Sequence, residues 1–432
     1  MTHTVVVLGG YGLIGAACVR ALRTTGFRVV GVGRSQAAAR RVVPEVEWRF
    51  TDLARASTED LRRVLAGADV VVNAAGALQD GLRDDVAAIH EGMIARLVTV
   101  LQGTKTRIIQ ISAAGVSEKA STEFFRSKAR GDALLQASGL DHVILRPTLV
   151  LAPEAYGGTA LLRASAAMPL VGLDVLPETR VQTVFIDDVT AAVVMAARGA
   201  IPSGTVADLT EPESHSFGEL VRAARRWLGL SPWRLSWRLP TPLVAATARV
   251  ADALSTLGWR SPLRSTALKV LSEGISGNPT AWSKTGGPPC RTLDDTLAAM
   301  PATAQERWFA RAYLLVPVIV GTLAVFWISS GLIGLARFDT ATEILTQRGF
   351  AALPASFFVA AGAIADIVLG AGILVRRFAR PASLGMVTVS FAYLAGATLF
   401  AADLWADPLG PMLKVLPGLV LALVAAALLE ER

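Results

Sequence analysis

The sequence predicts an α/β doubly wound parallel sheet with a small helical substrate subdomain, followed by an all-α four-helix transmembrane bundle. Three observations carry that expectation. Short β-branched runs alternate with amphipathic segments over the first 150 or so residues, the pattern of parallel strands joined by crossover helices. A glycine-rich turn separates the first such run from the first amphipathic segment. Four apolar stretches close the chain, each about long enough to cross a bilayer as a helix.

The strands expected in order are Thr4–Leu8, Arg28–Val32, Trp48–Phe50, Asp69–Asn73, Arg107–Ile111 and His142–Leu145, with a further one over Val181–Phe185. Between them, Leu13–Thr24, Thr58–Ala66, Val86–Gln102 and Thr122–Ser138 carry helical spacing. From about Ser216 the texture changes, with helices expected over Phe217–Leu228 and Thr241–Leu257. Between these two lies Ser231–Arg238, rich in Trp and Arg, which reads either as a segment at the lipid headgroup level or as a basic loop with packed tryptophans. Gly286-Gly287-Pro288-Pro289 is a loop. Three domains are therefore expected: 1–215 binding a nucleotide, 216–305 as a helical extension on the substrate side, and 306–432 in the membrane.

The spans are placed at 313–336, 354–375, 382–404 and 408–429. Arg307 and Arg311 precede the first, Arg376, Arg377 and Arg380 separate the second from the third, and Arg432 follows the fourth. With four crossings these arginines fall on one side, together with the N-terminal domain. The other side carries Asp403, Asp407 and a mixed loop with Arg337, Asp339, Glu343 and Arg348. Trp308, Tyr313 and Trp405 fit aromatic belts, and Lys414 is close enough to a helix end to snorkel. Asp366 lies inside the second span and should face the bundle interior, as a proton, quinone or partner site, as a polar tie between helices, or as a neutral, protonated acid.

The chain is 52% hydrophobic and carries a net charge of +7. Arginines flanking membrane helices account for the basic balance. No basic run interleaved with aromatics tracks a phosphate backbone, so no nucleic-acid partner is expected. Cys18 and Cys290 form neither a metal spacing nor a disulfide framework and read as lone buried thiols. The start, Met1-Thr2-His3-Thr4, lacks the basic region and cleavage site of a signal peptide. The expected location is the inner (cytoplasmic) membrane, multi-pass, with the nucleotide-binding domain and both termini in the cytoplasm.

Gly9-Gly10-Tyr11-Gly12-Leu13-Ile14-Gly15 follows the first strand and opens the first helix, which is the context a dinucleotide-binding turn requires. Gly9 permits the tight turn, Gly12 lets the backbone approach a pyrophosphate, and Gly15 lets the helix pack on the sheet. The free amides at the start of that helix then face the anion. The second strand ends Val32-Gly33-Arg34-Ser35, where an acid would bind the ribose of NAD. No acid is present, and Arg34 can pair with a 2′-phosphate, so NADP(H) is favoured over NAD(H).

This spacing, with Asp52 after the third strand and Asn73-Ala74-Ala75-Gly76 after the fourth, resembles the Rossmann-type short-chain dehydrogenase/reductases of the extended and atypical kinds. Ile111-Ser112-Ala113-Ala114-Gly115 looks like the family's fifth strand with its catalytic serine. Phe124-Phe125-Arg126-Ser127-Lys128 falls where the family has Tyr-x-x-x-Lys. Leu145-Arg146-Pro147 and Val184–Val189 resemble two further family segments. The likeness covers about the first 215 residues and is nearest to the NmrA-like group, which includes the nucleotide-binding accessory subunit of respiratory complex I. The membrane part resembles, more loosely, a DoxX-like four-helix domain. The resemblance implies cofactor contacts at Gly9, Gly10, Gly12, Leu13, Ile14 and Gly15, and further ones at Arg34, Asp52, Ala74, Ala75, Lys128 and Pro147. It also implies that Ser112 orients a substrate oxygen and that Lys128 holds the nicotinamide ribose and lowers the tyrosine pKa.

The family's tyrosine is the general acid/base, and here that position is Phe124, which has no proton to give. The chain has four tyrosines; Tyr11 lies in the glycine turn, and Tyr313 and Tyr393 lie in membrane helices. Tyr156, past the sixth strand, is the one candidate substitute, against the plainer reading of a loop tyrosine packed on the surface. His142 opens a strand and reads as structural. Three functions follow: an NADP(H)-dependent oxidoreductase acting on a quinone- or lipid-like substrate, a non-catalytic NADP(H)-binding module that senses redox state or supports a membrane assembly, and an epimerase or isomerase. The partners expected are a hydrophobic small molecule, membrane lipid and a membrane protein.

Overall fold

A computed structural model describes residues 3–43, 45–78, 85–259, 261 and 263–429. It divides into two compact units: Met1–Asp252 with Ser261–Arg307, and Ala253–Arg260 with Trp308–Arg432. Met1, Thr2 and Arg432, used above for the leader and the charge balance, lie outside the described residues.

The first unit is built in βα steps: β1 (Thr4–Leu8), α1 (Leu13–Thr24), β2 (Arg28–Gly33), α2 (Gln36–Val42), β3 (Glu47–Phe50), α3 (Thr58–Leu65), β4 (Val70–Asn73), α4 (Met93–Leu101), β5 (Arg107–Ile111), α5 (Glu123–Ala137) and β6 (His142–Pro147). There follow β7 (Leu149–Leu151), α6 (Gly157–Ala166), β8 (Val171–Asp174), β9 (Arg180–Val181), β10 (Thr183–Phe185), α7 (Ile186–Ala197) and β11 (Thr205–Leu209). Seven strands make one parallel sheet in the order β11-β6-β5-β4-β1-β2-β3. Its inner strands are near-continuous apolar runs because both faces are covered. Val5 and Val7 pack with Val19, Leu22 and Val193 on one side of the sheet. Val6 and Leu8 pack with Leu61, Met93 and Leu97 on the other. Successive side chains of one strand thus supply two cores.

The strand expected over Val181–Phe185 is two short ones, β9 and β10, neither of which joins the main sheet. Its seventh strand is β11, which the sequence reading missed. The helix expected over Val86–Gln102 carries a π-helical turn at Ala88–Gly92 before α4. A β-carbon on Gly131 of α5 would strike the His90 carbonyl, so α5 packs directly against the backbone of that widened turn.

The remainder of this unit holds β12 (His215–Ser216), α8 (Phe217–Trp227), β13 (Leu235–Arg238), α9 (Thr241–Thr256), α10 (Ser265–Ser272), α11 (Thr280–Lys284) and α12 (Leu293–Ala299), the end of α9 falling in the second unit. Ser231–Arg238 is not merely a loop: β13 pairs in parallel with β8. Trp233 packs inward, donating to the Met168 carbonyl at 2.8 Å with the Arg225 guanidinium 4.1 Å above its ring.

The second unit contains α13 (Ala304–Ala336, from Trp308 on), α14 (Phe338–Gln347), α15 (Ala352–Gly372), α16 (Arg376–Phe400) and α17 (Pro411–Leu428). All but α14 are long and apolar enough to cross a membrane. The third span begins earlier than expected, at Arg376, with Pro381 in its second turn. The mixed loop is the helix α14, with no buried residue. Close packing comes from small residues, as is usual between membrane helices: Gly331 lies against Ala363 and Ile367, and Gly370 against Trp327 and Ile328. Large apolar side chains such as Phe326, Ile333, Phe357 and Val420 are more than half exposed. Arg348 forks onto Asp403 at 2.7 and 2.9 Å, so the connections after the first and third spans meet at one end of the bundle. At the other end, Trp259 donates to the Leu374 carbonyl.

Candidate functional site

The glycine turn leaves β1 with Gly9 at φ +73°, a conformation that disfavours any side chain. A β-carbon there would lie 2.8 Å from the Ala75 α-carbon and 2.9 Å from the Ala74 carbonyl, so Gly9, Ala74 and Ala75 meet backbone to backbone. The amides of Gly9 and Gly10 donate to the Val32 carbonyl at 3.0 and 3.1 Å, and Gly12 donates to Gly9 at 2.9 Å. A β-carbon on Gly15 would overlap the Gly9 carbonyl. Gly12 is the N-cap of α1 and supplies no capping side chain, so the first-turn amides of Leu13, Ile14 and Gly15 have no intrahelical acceptor. Bare backbone, a helix start and a close approach fit a pyrophosphate.

The end of β2 lies beside this turn. The Tyr11 ring covers Gly33, and its hydroxyl accepts the Arg34 amide at 3.1 Å. Any side chain at Gly33, acidic or not, would overlap that ring. Trp48 carries the aromatic row from Tyr11 on to Phe50. Asp52 follows β3, and its Oδ1 accepts the Ala54 amide at 3.3 Å.

The second cluster gathers on one face of α5. Phe124, Lys128 and Asp132 are spaced four apart and share that face. Ser112, at the end of β5, is buried and donates to Asp132 Oδ2 at 2.8 Å. Arg146 donates to the same oxygen through Nε at 3.0 Å and Nη2 at 2.8 Å. Burial pushes the Asp132 carboxyl above its usual range, opposed by Arg146 and Ser112. Lys128 is buried, and its Nζ donates to the Ile111 carbonyl at 3.1 Å. Burial lowers its pKa to about 8, and Asp132 opposes the fall. Phe124 stands in contact with this group: Lys128 Nζ lies 5.6 Å from its ring centre and the His90 ring 5.6 Å from it, edge on.

His90 is buried, and its Nε2 accepts the Ala77 amide at 3.2 Å, leaving Nδ1 as the protonated nitrogen toward Ser127 Oγ at 3.0 Å. Burial, reinforced by Lys128, lowers its pKa to about 2. It is therefore neutral at physiological pH and cannot deliver a proton as an imidazolium. Sequence reasoning missed His90, Asp132 and the role of Arg146. For Asp132 the signal was present, four residues past Lys128 on the same face.

Tyr156 does not join this cluster. It is the N-cap of α6, 63% exposed, and among the described residues its hydroxyl has no hydrogen-bond partner. Pro147 is buried at the end of β6, where its carbonyl accepts the Ala114 amide at 3.0 Å. His142, also buried, holds the Leu140 carbonyl through Nδ1 at 2.8 Å. Cys18 and Cys290 are buried free thiols, and burial pushes their pKa up to about 12 and about 11. Asp366 is buried and accepts from Ser330 Oγ at 2.8 Å, a polar tie between α13 and α15.

Comparisons with known proteins agree with this geometry. Residues 9–170 match a family model described as NAD(P)H-binding, and residues 324–423 match the DoxX-like family. No curated protein matches the chain. Among solved structures, the NADPH-dependent quinone oxidoreductase QOR2 of Escherichia coli, complexed with NADPH, is 18% identical, with a TM-score of 0.52 over 68% of this chain and 98% of that one. WbmG of Bordetella bronchiseptica, in complex with NAD, is 16% identical at 0.52, over 71% of this chain and 94% of its own. UDP-glucose 4-epimerase of Thermotoga maritima is 16% identical at 0.52, over 72% and 99%. The chain thus joins an NAD(P)H-binding domain of Rossmann type to a DoxX-like helical domain associated with the membrane.

Proposed function

We propose that the protein is a membrane-bound NADP(H)-dependent oxidoreductase that reduces a hydrophobic acceptor of the quinone or lipid type. Its nucleotide-binding domain and both termini lie on the cytoplasmic side of the inner membrane. The observation that carries this reading is Lys128. A buried ammonium is costly, yet it is kept beside Phe124, where the family's acid is missing. A lysine there holds the nicotinamide ribose by donating to its hydroxyls, a role that does not require the tyrosine. When bound, the reduced cofactor supplies a hydride. An acceptor that takes its proton from water tolerates phenylalanine at position 124, and a quinone meets that condition. The fold shared with a quinone oxidoreductase makes quinones the first acceptors to try. Arg34, with no acid at Gly33, favours the 2′-phosphate of NADP(H) over the free ribose of NAD(H).

A second reading, a non-catalytic NADP(H)-binding module of a membrane assembly, is favoured by a different observation. The Ser112 hydroxyl is committed to Asp132, and Tyr156 stands outside the cluster. An epimerase needs the same missing tyrosine and draws no support from the site. NADPH oxidation by the solubilised full chain, assayed with quinones of graded tail length, separates the readings. Turnover that falls strongly in Lys128→Ala supports the enzyme. NADPH binding without turnover on any acceptor supports the module.

A further inference from the structure

The β8–β13 tip presents an apolar, basic surface that neither core uses. Strand side chains alternate, so Leu235 and Trp237 of β13 share one face. They are 63% and 59% exposed, and Leu170, at the foot of the pairing strand β8, is 85% exposed. Trp233 has a packing role in the same segment, under Arg225 and against Met168. Trp237 has none: among the described residues its side chain makes no hydrogen bond and no ring contact. Helix α9 continues the pattern, with Leu243 and Val250 exposed along one stripe.

The segment that forms β13 and most of α9 carries charge of one sign, although the pairing strand brings Asp174 into register with Arg238. Between Glu219 and Asp252 the sequence holds six arginines, three tryptophans and no acidic residue. Arg234, Arg238 and Arg249 of that stretch are exposed. Exposed tryptophan and leucine rimmed by arginine is the composition of a surface seated among anionic lipid headgroups. A bilayer is also tethered to this unit by its own chain, because α9 ends in residues that group with the membrane-spanning unit.

We propose that the β8–β13 tip and the outer stripe of α9 dock on the anionic headgroup layer of the membrane that the bundle spans, with Leu235 and Trp237 inserted and Arg234, Arg238 and Arg249 on lipid phosphates. The surface is an interaction site distinct from the glycine turn and the α5 face, and independent of whether these are catalytic.

Spin labels test this on the full chain in phosphatidylglycerol-containing nanodiscs. Trp237→Cys and Leu235→Cys place labels on the proposed face, and Arg62→Cys places a control on exposed α3. The native thiols are both buried and should label poorly. Collision with oxygen relative to a water-soluble nickel chelate reports immersion. The ratio should be several-fold higher at positions 235 and 237 than at 62, and should fall when Arg234 and Arg238 are both changed to Glu. Equal ratios at all three positions would overturn the proposal. So would dipolar broadening between labels on two molecules, which would show that a second copy of the chain covers the face instead. If W237C folds poorly, L235C alone decides.

Discussion

Two regions of the first unit, both formed at the C-terminal ends of its strands, differ in where their polar groups point. The glycine turn has no side chain with which to satisfy its first-turn amides, and the close approaches at Gly9 and Gly15 are backbone on backbone. The α5 face is the reverse. Its polar side chains already hold one another or the local backbone: Ser112 and Arg146 on Asp132, Lys128 on Ile111, His90 on Ala77 and Ser127. The first region is built to bind something. The second is a network of side chains already paired, apart from the buried Asp132 Oδ1, which has no hydrogen-bond partner among the described residues, and it carries a lysine beside Phe124. The resemblance assigns the first to the cofactor and the second chiefly to catalysis, and the geometry shows how differently the two are built.

The largest effect should come from opening the network. Asp132 is buried with two cationic groups nearby, and Asp132→Ala should cost about 3–5 kcal/mol, the usual result of leaving a buried charge unpaired. A loss of less than about 1 kcal/mol in the unfolding free energy from denaturant titration would mean that the network is not structural. Next is Phe124→Tyr, which restores a hydroxyl beside Lys128. It should raise NADPH-dependent reduction of simple carbonyls by about 100-fold, the ordinary worth of general acid catalysis, while quinone reduction changes little. No gain on any carbonyl would show that the face is not positioned for chemistry. Arg34→Ala should weaken NADPH binding about tenfold and NADH binding hardly at all, as expected for loss of a charge-assisted contact to the 2′-phosphate. Equal losses for both would assign Arg34 a structural role.

A further effect is a slope with pH. Lys128 titrates at about 8 in the folded protein against its ordinary 10.5. The folded state therefore binds fewer protons than the unfolded one between these values, so stability rises with pH across that window. The cost of burying the cation is fully present below about pH 8 and fades above it. Lys128→Met, which does not titrate, should lack that rise when denaturation midpoints are compared from pH 7 to 10.

Much of this architecture was legible in the sequence for a simple reason. A strand buried on both faces must be apolar throughout, and Val5–Leu8 and Val70–Val72 are. β11 escaped because Asp208 interrupts a short run at the sheet edge. The π turn at Ala88–Gly92 escaped because one extra residue scarcely disturbs helical periodicity, and its packing partner Gly131 is distant in sequence. The glycine turn was legible because it is local and backbone-defined. The Ser112–Asp132 bond was not, because only the sheet's topology brings β5, α5 and β6 together there. The role of Tyr156 was open in the sequence because a loop tyrosine looks the same whether it faces a cleft or solvent. The four long apolar helices were legible from composition alone, whereas α14 was hidden by its polar content.

The most direct test is calorimetric titration of NADPH into the full chain, beside Gly15→Val, whose side chain would collide with the Gly9 carbonyl and block the turn. The expected result is stoichiometric binding to the wild-type chain and none to the variant. Absence of binding to the wild-type chain, or undiminished binding to Gly15→Val, would contradict a cofactor held by the backbone of that turn.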